Sequence, residues 1–192
     1  RCPFEWFTSR WKPATLDTPR PVRCNVYGFV QESELNNHMA SKVHINPSIL
    51  NANFDDLENE IAKVALTSDS LHLDVMDNIF VPNFTFDLNR AFEIINFSKL
   101  PVDAHLMIEN PDEISPLYAE NGCTSVTFHF EAANDVSKTI RDIRSNGAKV
   151  GLAIKPATKF ADVQKWIEDI DMLLIMTVEP GFGGQSFMHD QM

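Results

Sequence analysis

The sequence has few cysteines, no long apolar run and no excess of positive charge. Cys2, Cys24 and Cys123 are an odd number without a CxxC spacing. That excludes a disulfide frame and reads as reduced thiols in a cytoplasmic protein. No apolar stretch approaches the roughly 20 residues that span a bilayer, and no secretory signal pattern opens the chain. Sixteen Lys and Arg stand against 27 Asp and Glu, a formal charge of -11. Nucleic acids and anionic membrane surfaces select clustered Lys and Arg, so neither is expected as a partner. A local site for one anionic group is still compatible with this balance. The 192 residues, 44% hydrophobic and 22% charged, suit one globular domain.

The chain divides unequally. Residues 1–38 hold Pro3, Pro13, Pro19 and Pro21, two of the three tryptophans, and no sustained period of 2 or 3.6. Met39-Ala40-Ser41-Lys42 reads as a natural start, so 1–38 is expected to be irregular or extraneous upstream sequence. Glu5, Asp17, Glu32 and Glu34 argue against a transit segment, which is usually poor in acids. From 39 to 192 the pattern changes. β-rich runs begin near 43, 70, 102, 124, 149 and 172, with helix-like segments between them. Leu57, Ile61 and Val64 share a helical face, as do Val136, Ile140 and Ile143. Phe160, Val163, Ile167 and Ile170 form a third stripe, expected as one helix. Asn110-Pro111-Asp112-Glu113 reads as a helix start, with a kink or restart expected at Pro116. Asn121-Gly122 and Asn146-Gly147 read as helix stops. Repeated βα units imply a parallel α/β sheet, either open and doubly wound or closed into a (β/α)8 TIM barrel.

The chemistry-bearing residues lie at strand ends. In Leu71-His72-Leu73-Asp74-Val75-Met76, alternation puts His72, Asp74 and Met76 on one face. In Val102-Asp103-Ala104-His105-Leu106-Met107 it does the same for Asp103, His105 and Met107. If these strands are parallel neighbours, His72, Asp74 and His105 converge. Two imidazoles and a carboxylate suit Zn²⁺, Fe²⁺, Mn²⁺ or Co²⁺. Each residue alone also fits a hydrogen-bonded place in a barrel interior; the three in register point to a cation. Ser48 ends the first run, where a hydroxyl can meet a substrate hydroxyl or cap a turn. His129 shares the Thr127 face at the end of the fourth run, either lining a pocket or holding structure. Gly181-Phe182-Gly183-Gly184 follows the sixth run, and its backbone N–H groups can approach an anion closely. Met76, Met107 and Met176 all end strands, as core filling or as an apolar collar.

Taken in order, the segments 46–50, 72–77, 80–83, 103–107 and 176–185 resemble the ribulose-phosphate 3-epimerase family. The resemblance runs from about Val43 to Phe187 and selects the closed barrel. It implies an isomerase that interconverts D-ribulose 5-phosphate and D-xylulose 5-phosphate in the pentose phosphate pathway through a metal-stabilised enediolate. It implies His72, Asp74 and His105 as ligands of a divalent metal, and Asp74 also as the acid/base at C3. Ser48, His105 and the Gly181, Phe182, Gly183, Gly184 loop would bind substrate. Met76, Met107 and Met176 would form the collar. The family's second aspartate, in an Asp-Gly-Gly motif on a seventh strand, does not occur in the sequence. Nor does the Gly-Ser motif of its eighth. The expected domain over 39–192 is therefore an incomplete barrel of about six βα units, inactive or nearly so by itself. Asn78-Ile79 replaces a common Gly-His pair. Two other readings are an epimerase of D-allulose 6-phosphate and a truncated, non-catalytic binding protein. Oligomeric state is left open, with a homo-oligomer among the options.

Overall fold

The computed structural model describes Arg23–Cys24 and residues 43–191. Apart from Arg23–Cys24, the segment 1–38 read as irregular lies outside the described residues. Six strands, β1 (Arg23–Cys24), β2 (Leu71–Met76), β3 (Val102–Met107), β4 (Ser125–His129), β5 (Lys149–Ile154) and β6 (Met172–Ile175), form one sheet. Their order is β1-β6-β5-β4-β3-β2, and every pair is parallel. From β2 to β6 each strand neighbours the next in sequence, the order of a partial (β/α)8 barrel. Helices α1 (Leu57–Ala65), α2 (Leu88–Phe97), α3 (Pro111–Glu120), α4 (Val136–Ser145) and the short α5 (Phe160–Val163) alternate with them. Among the described residues no helix is long and apolar enough to cross a membrane.

Five of the six expected strands form within a residue of their expected starts. The run at 43–48 does not: it leaves one parallel bridge between Ser48 and His72. Pro47 explains the loss, since it has no N–H to give the ladder. Its carbonyl still accepts from His72 N–H at 2.9 Å, so the segment follows the β2 edge. The two-residue β1 beside Met172–Leu173 was not anticipated, because residues 1–38 show no period to reveal it.

One face of the sheet makes the main core. Leu71, Leu73, Val75, Leu106, Val126 and Phe128 join Ala91, Ile94, Ile140 and Ile143 in a single buried cluster. The α1 and α4 stripes face this core as expected, with Leu57, Ile61, Val136, Ile140 and Ile143 buried. The third stripe splits. After α5 the chain tightens into a 3-10 turn over Gln164–Asp169. That turn rises about 2.0 Å per residue, against 1.5 Å in an α-helix, and so carries the chain to β6 in fewer residues. Val163 and Ile170 are buried, whereas Phe160 is exposed. α3 runs through Pro116 without restarting, since a proline one turn in removes only one hydrogen bond. Gly122 and Gly147 both adopt positive φ after their helices. Asn78 does so too at 59°, which explains how it stands in a glycine's place. Gly151 is needed for another reason: a Cβ there would lie 2.1 Å from Thr127 Oγ1.

Cys123 is a free thiol buried within this core. Burial, helped by the negative charge of Asp103, pushes its pKa up to about 12. The thiolate is the reactive form. Cys123 is therefore expected to stay unmodified by a thiol reagent in the folded protein and to react once denaturant is added. Peptide mapping after a short alkylation pulse checks this, and alkylation at the rate of an exposed thiol would contradict it.

Candidate metal centre

The site is built from rungs between β2 and β3. Their register pairs His72 with Asp103, Asp74 with His105 and Met76 with Met107. All six residues alternate away from the leucine-rich core face, and all are buried. Along the strand, His72 and Asp74 are about 7 Å apart by backbone rise. Their side chains lean together, and His72 Nε2 lies 3.2 Å from Asp74 Oδ1. His105 Nδ1 reaches the same oxygen at 3.1 Å. Each of the three residues offers one ligand atom, all within 4.8 Å of one another.

Hydrogen bonding around this group identifies the atoms that face it. His72 Nδ1 lies 2.8 Å from Asp103 Oδ2. Asp103 also accepts from Ser125 Oγ at 2.5 Å and from Asn46 Nδ2 at 3.1 Å. Burial acts to raise the pKa of Asp103, but His72 and Ser125 outweigh it and hold the group below the usual carboxylate range. An ionised carboxylate only accepts, so His72 Nδ1 carries a proton. The Nε2 of that ring faces Asp74 Oδ1 at 3.2 Å. Asp74 Oδ2 accepts the Ser48 hydroxyl at 2.6 Å. Burial again acts to raise the Asp74 pKa, and the partner imidazoles His105 and His72 override it, well below the ordinary range. An imidazole lone pair and a carboxylate oxygen at this distance repel unless a cation or a proton lies between them. The donor set is nitrogen, nitrogen and oxygen, which suits a divalent transition ion.

The other predicted site residues are placed as follows. Ser48 joins the site through Asp74. Met76 and Met107 pack with Val81, with Leu50 and Phe80 against them, beyond the polar rungs. Met176 follows β6 half-buried, outside that cluster, so two of the three collar methionines come together. Its backbone N–H extends the ladder to the Ile154 carbonyl. The glycine loop is tied to the segment after β2: Asn83 Nδ2 donates to the Gly181 carbonyl at 2.8 Å. Gly181 is buried with φ 117°, and a Cβ there would lie 3.1 Å from Val81 Cβ. Phe182, Gly183 and Gly184 are exposed beyond that anchor.

Sequence reasoning assigned no role to Asp103, Asn46, Ser125 or Glu131. Asp103 was visible on the site face, but its partner depends on interstrand register. His129, left between two readings, is wholly buried and lies against His105, with their Nε2 atoms 2.9 Å apart. Burial pushes the His129 pKa down to about 4, against the opposing pull of Glu131. Its ring is therefore neutral at physiological pH.

A buried two-imidazole, one-carboxylate group on a partial parallel barrel defines a metal-binding α/β-barrel protein. The model for the Ribulose-phosphate 3 epimerase family matches residues 44–192. The chain is 49% identical over 144 residues to the ribulose-phosphate 3-epimerase of Mycobacterium leprae (strain TN), covering 75% of this chain and 64% of that protein. Against the enzyme of that name from Mycobacterium tuberculosis (strain ATCC 25618 / H37Rv) it is 47% identical, covering 75% and 62%. Against that of Bacillus subtilis (strain 168) it is 40% identical over 148 residues, covering 77% and 68%. The chain thus spans less than two-thirds of the length of the mycobacterial relatives it matches. It belongs to the ribulose-phosphate 3-epimerase family.

Proposed function

We propose that the protein is a divalent-metal-dependent isomerase that interconverts D-ribulose 5-phosphate and D-xylulose 5-phosphate in the pentose phosphate pathway. The convergence of His72, Asp74 and His105 on one point, with Ser48 bonded to Asp74, carries this reading. The relatives named above bear the activity in their names. His72 Nε2, an Asp74 oxygen and His105 Nδ1 would hold the ion. When bound, that ion supplies Lewis acidity, drawing charge from the substrate oxygens as it develops.

The chain's own residues do the rest. Asp74 is ionised, as a base must be, and takes the proton from C3 while the C–H electron pair moves into the adjacent carbonyl. Ser48 fixes the angle of the Asp74 carboxylate by donating to its second oxygen. A proton returned to the opposite face of the carbon completes inversion, and the resemblance assigns that step to a second carboxyl group on a seventh strand. The buried Met76 and Met107 shield the reacting carbon from water, which strengthens the electrostatics at the site. Gly181 to Gly184 offer backbone N–H groups for the phosphate. The protein acts in the cytoplasm on a small sugar phosphate, with neither nucleic acid nor membrane as a partner. Asp74, Ser48 and the glycine loop lie in an incomplete barrel domain over 39–192. A coupled assay for xylulose 5-phosphate on the full-length protein, with its seventh and eighth strands, tests this. Metal-dependent turnover of ribulose 5-phosphate is the expected result, and no turnover with metal supplied would refute the reading.

A further inference from the structure

The loop after β2 is fixed in place before it reaches the glycine loop. Asp77 Oδ1 accepts from the Ile79 and Phe80 N–H groups at 2.8 and 2.9 Å, and its Oδ2 accepts from Glu109 N–H at 2.8 Å. Asn78 N–H donates to the Asn83 carbonyl at 2.8 Å, which folds the loop back on itself. Within this frame the Asn83 amide has one orientation. Its Oδ1 accepts from Phe84 N–H at 2.9 Å, so its Nδ2 is the donor that meets the Gly181 carbonyl at 2.8 Å. The next carbonyl, of Phe182, is taken by a second side-chain amide. Gln185 Nε2 donates to it at 2.9 Å and to the Glu179 carbonyl at 2.6 Å. A trans peptide is planar, with its N–H opposite its C=O. Holding the Gly181 and Phe182 carbonyls therefore sets the directions of the Phe182 and Gly183 N–H groups. Positive φ at Gly181 and Gly184 curves the backbone over this stretch, the setting in which adjacent N–H groups take an anion.

We infer that Asn83 is a positioning residue for the substrate's phosphate: with Gln185 it holds the Gly181 and Phe182 carbonyls and so presents the Phe182 and Gly183 N–H groups as donors. The anchor is rigid. Val81, two residues before Asn83, is buried against Met76 and Met107. Gly181 lies against Val81 and Pro82, too close for a side chain of its own. Gly181 is buried while Phe182 and Gly183 are exposed, so the held carbonyl lies beneath the donors. The Asn83 bond thus ties the anion loop to the apolar cluster beside the metal rungs, across 98 residues of sequence. The inference rests on the sugar-phosphate reading above for its ligand, and adds the side chains that aim the loop at it.

Asn83→Leu keeps the shape of the side chain and removes the donor. Gln185→Ala removes the second amide from an exposed position, where the fold is not at risk. Both are read in the full-length protein, with inorganic phosphate as the probe and backbone amide signals in nitrogen-15 spectra as the readout. In wild type, added phosphate is expected to shift the Phe182 and Gly183 amides. Asn83→Leu is expected to weaken the phosphate Kd roughly 10-fold, the effect of one hydrogen bond to a charged group, and Gln185→Ala to weaken it in the same direction. The KM for ribulose 5-phosphate is expected to rise with the phosphate Kd while kcat falls by far less. A merely structural role would lower kcat and leave the phosphate Kd where it was. Phosphate that leaves both wild-type amides unmoved overturns the inference, whether or not either variant folds. So does a folded Asn83→Leu whose phosphate Kd stays within about twofold of wild type, well short of one charged hydrogen bond. Phosphate bound at those two amides in a protein that turns over no ribulose 5-phosphate would uphold the inference and sink the isomerase reading, so the two failures are distinguishable.

Discussion

In the full-length protein Asp74→Asn is expected to lower kcat by about 10³-fold or more with the fold retained, since a positioned acid/base alone is worth about 10²–10⁴. The substitution is nearly isosteric. Ser48 can reverse its hydroxyl to accept from the new amide where it now donates to Oδ2 at 2.6 Å. Little stability is at risk, because Asp74 lies on the polar rungs and outside the apolar cluster that holds the sheet to its helices. What is lost is chemical: an amide neither takes a proton from carbon nor neutralises a cation. Steady-state assay beside a thermal melt checks both halves. Full activity in a folded Asp74→Asn variant would show that the proton is taken by another group.

Metal removal is the second large effect. Dialysis against a chelator is expected to abolish turnover, and added Zn²⁺, Mn²⁺ or Co²⁺ to restore it. His72→Ala removes a ligand atom, whereas Asp103→Asn removes only the negative charge that faces His72 Nδ1 at 2.8 Å. The outer-shell loss should cost about 10- to 100-fold in ion affinity, and the ligand loss more than that. Calorimetric titration of both variants gives the order. Equal affinities for His72→Ala and wild type would place the ion elsewhere.

Much of this site could be read from alternation. His72, Asp74 and His105 converge because a period of 2 fixes which face each side chain takes. Parallel neighbours of equal length then bring the two polar faces together. The α1 and α4 stripes were legible for the same reason, through a period of 3.6. What alternation does not supply is register. Asp103 stands opposite His72 only because Leu71 pairs with Val102, and one residue of slip would have changed every partner. The contact of Glu131 with His129 depends on β4 and β5 together, since that carboxylate is fixed by residues 155 and 158. The strand expected at 43–48 failed on a local property, the missing N–H of Pro47. The split of the 160–170 stripe reflects the short path left to β6.

Crystals grown with Zn²⁺ and measured at the zinc absorption edge test the central claim most directly. The predicted anomalous peak lies about 2.0–2.2 Å from His72 Nε2, an Asp74 oxygen and His105 Nδ1. A peak bound by any other group of side chains, or density between the three filled by water alone, would contradict the account.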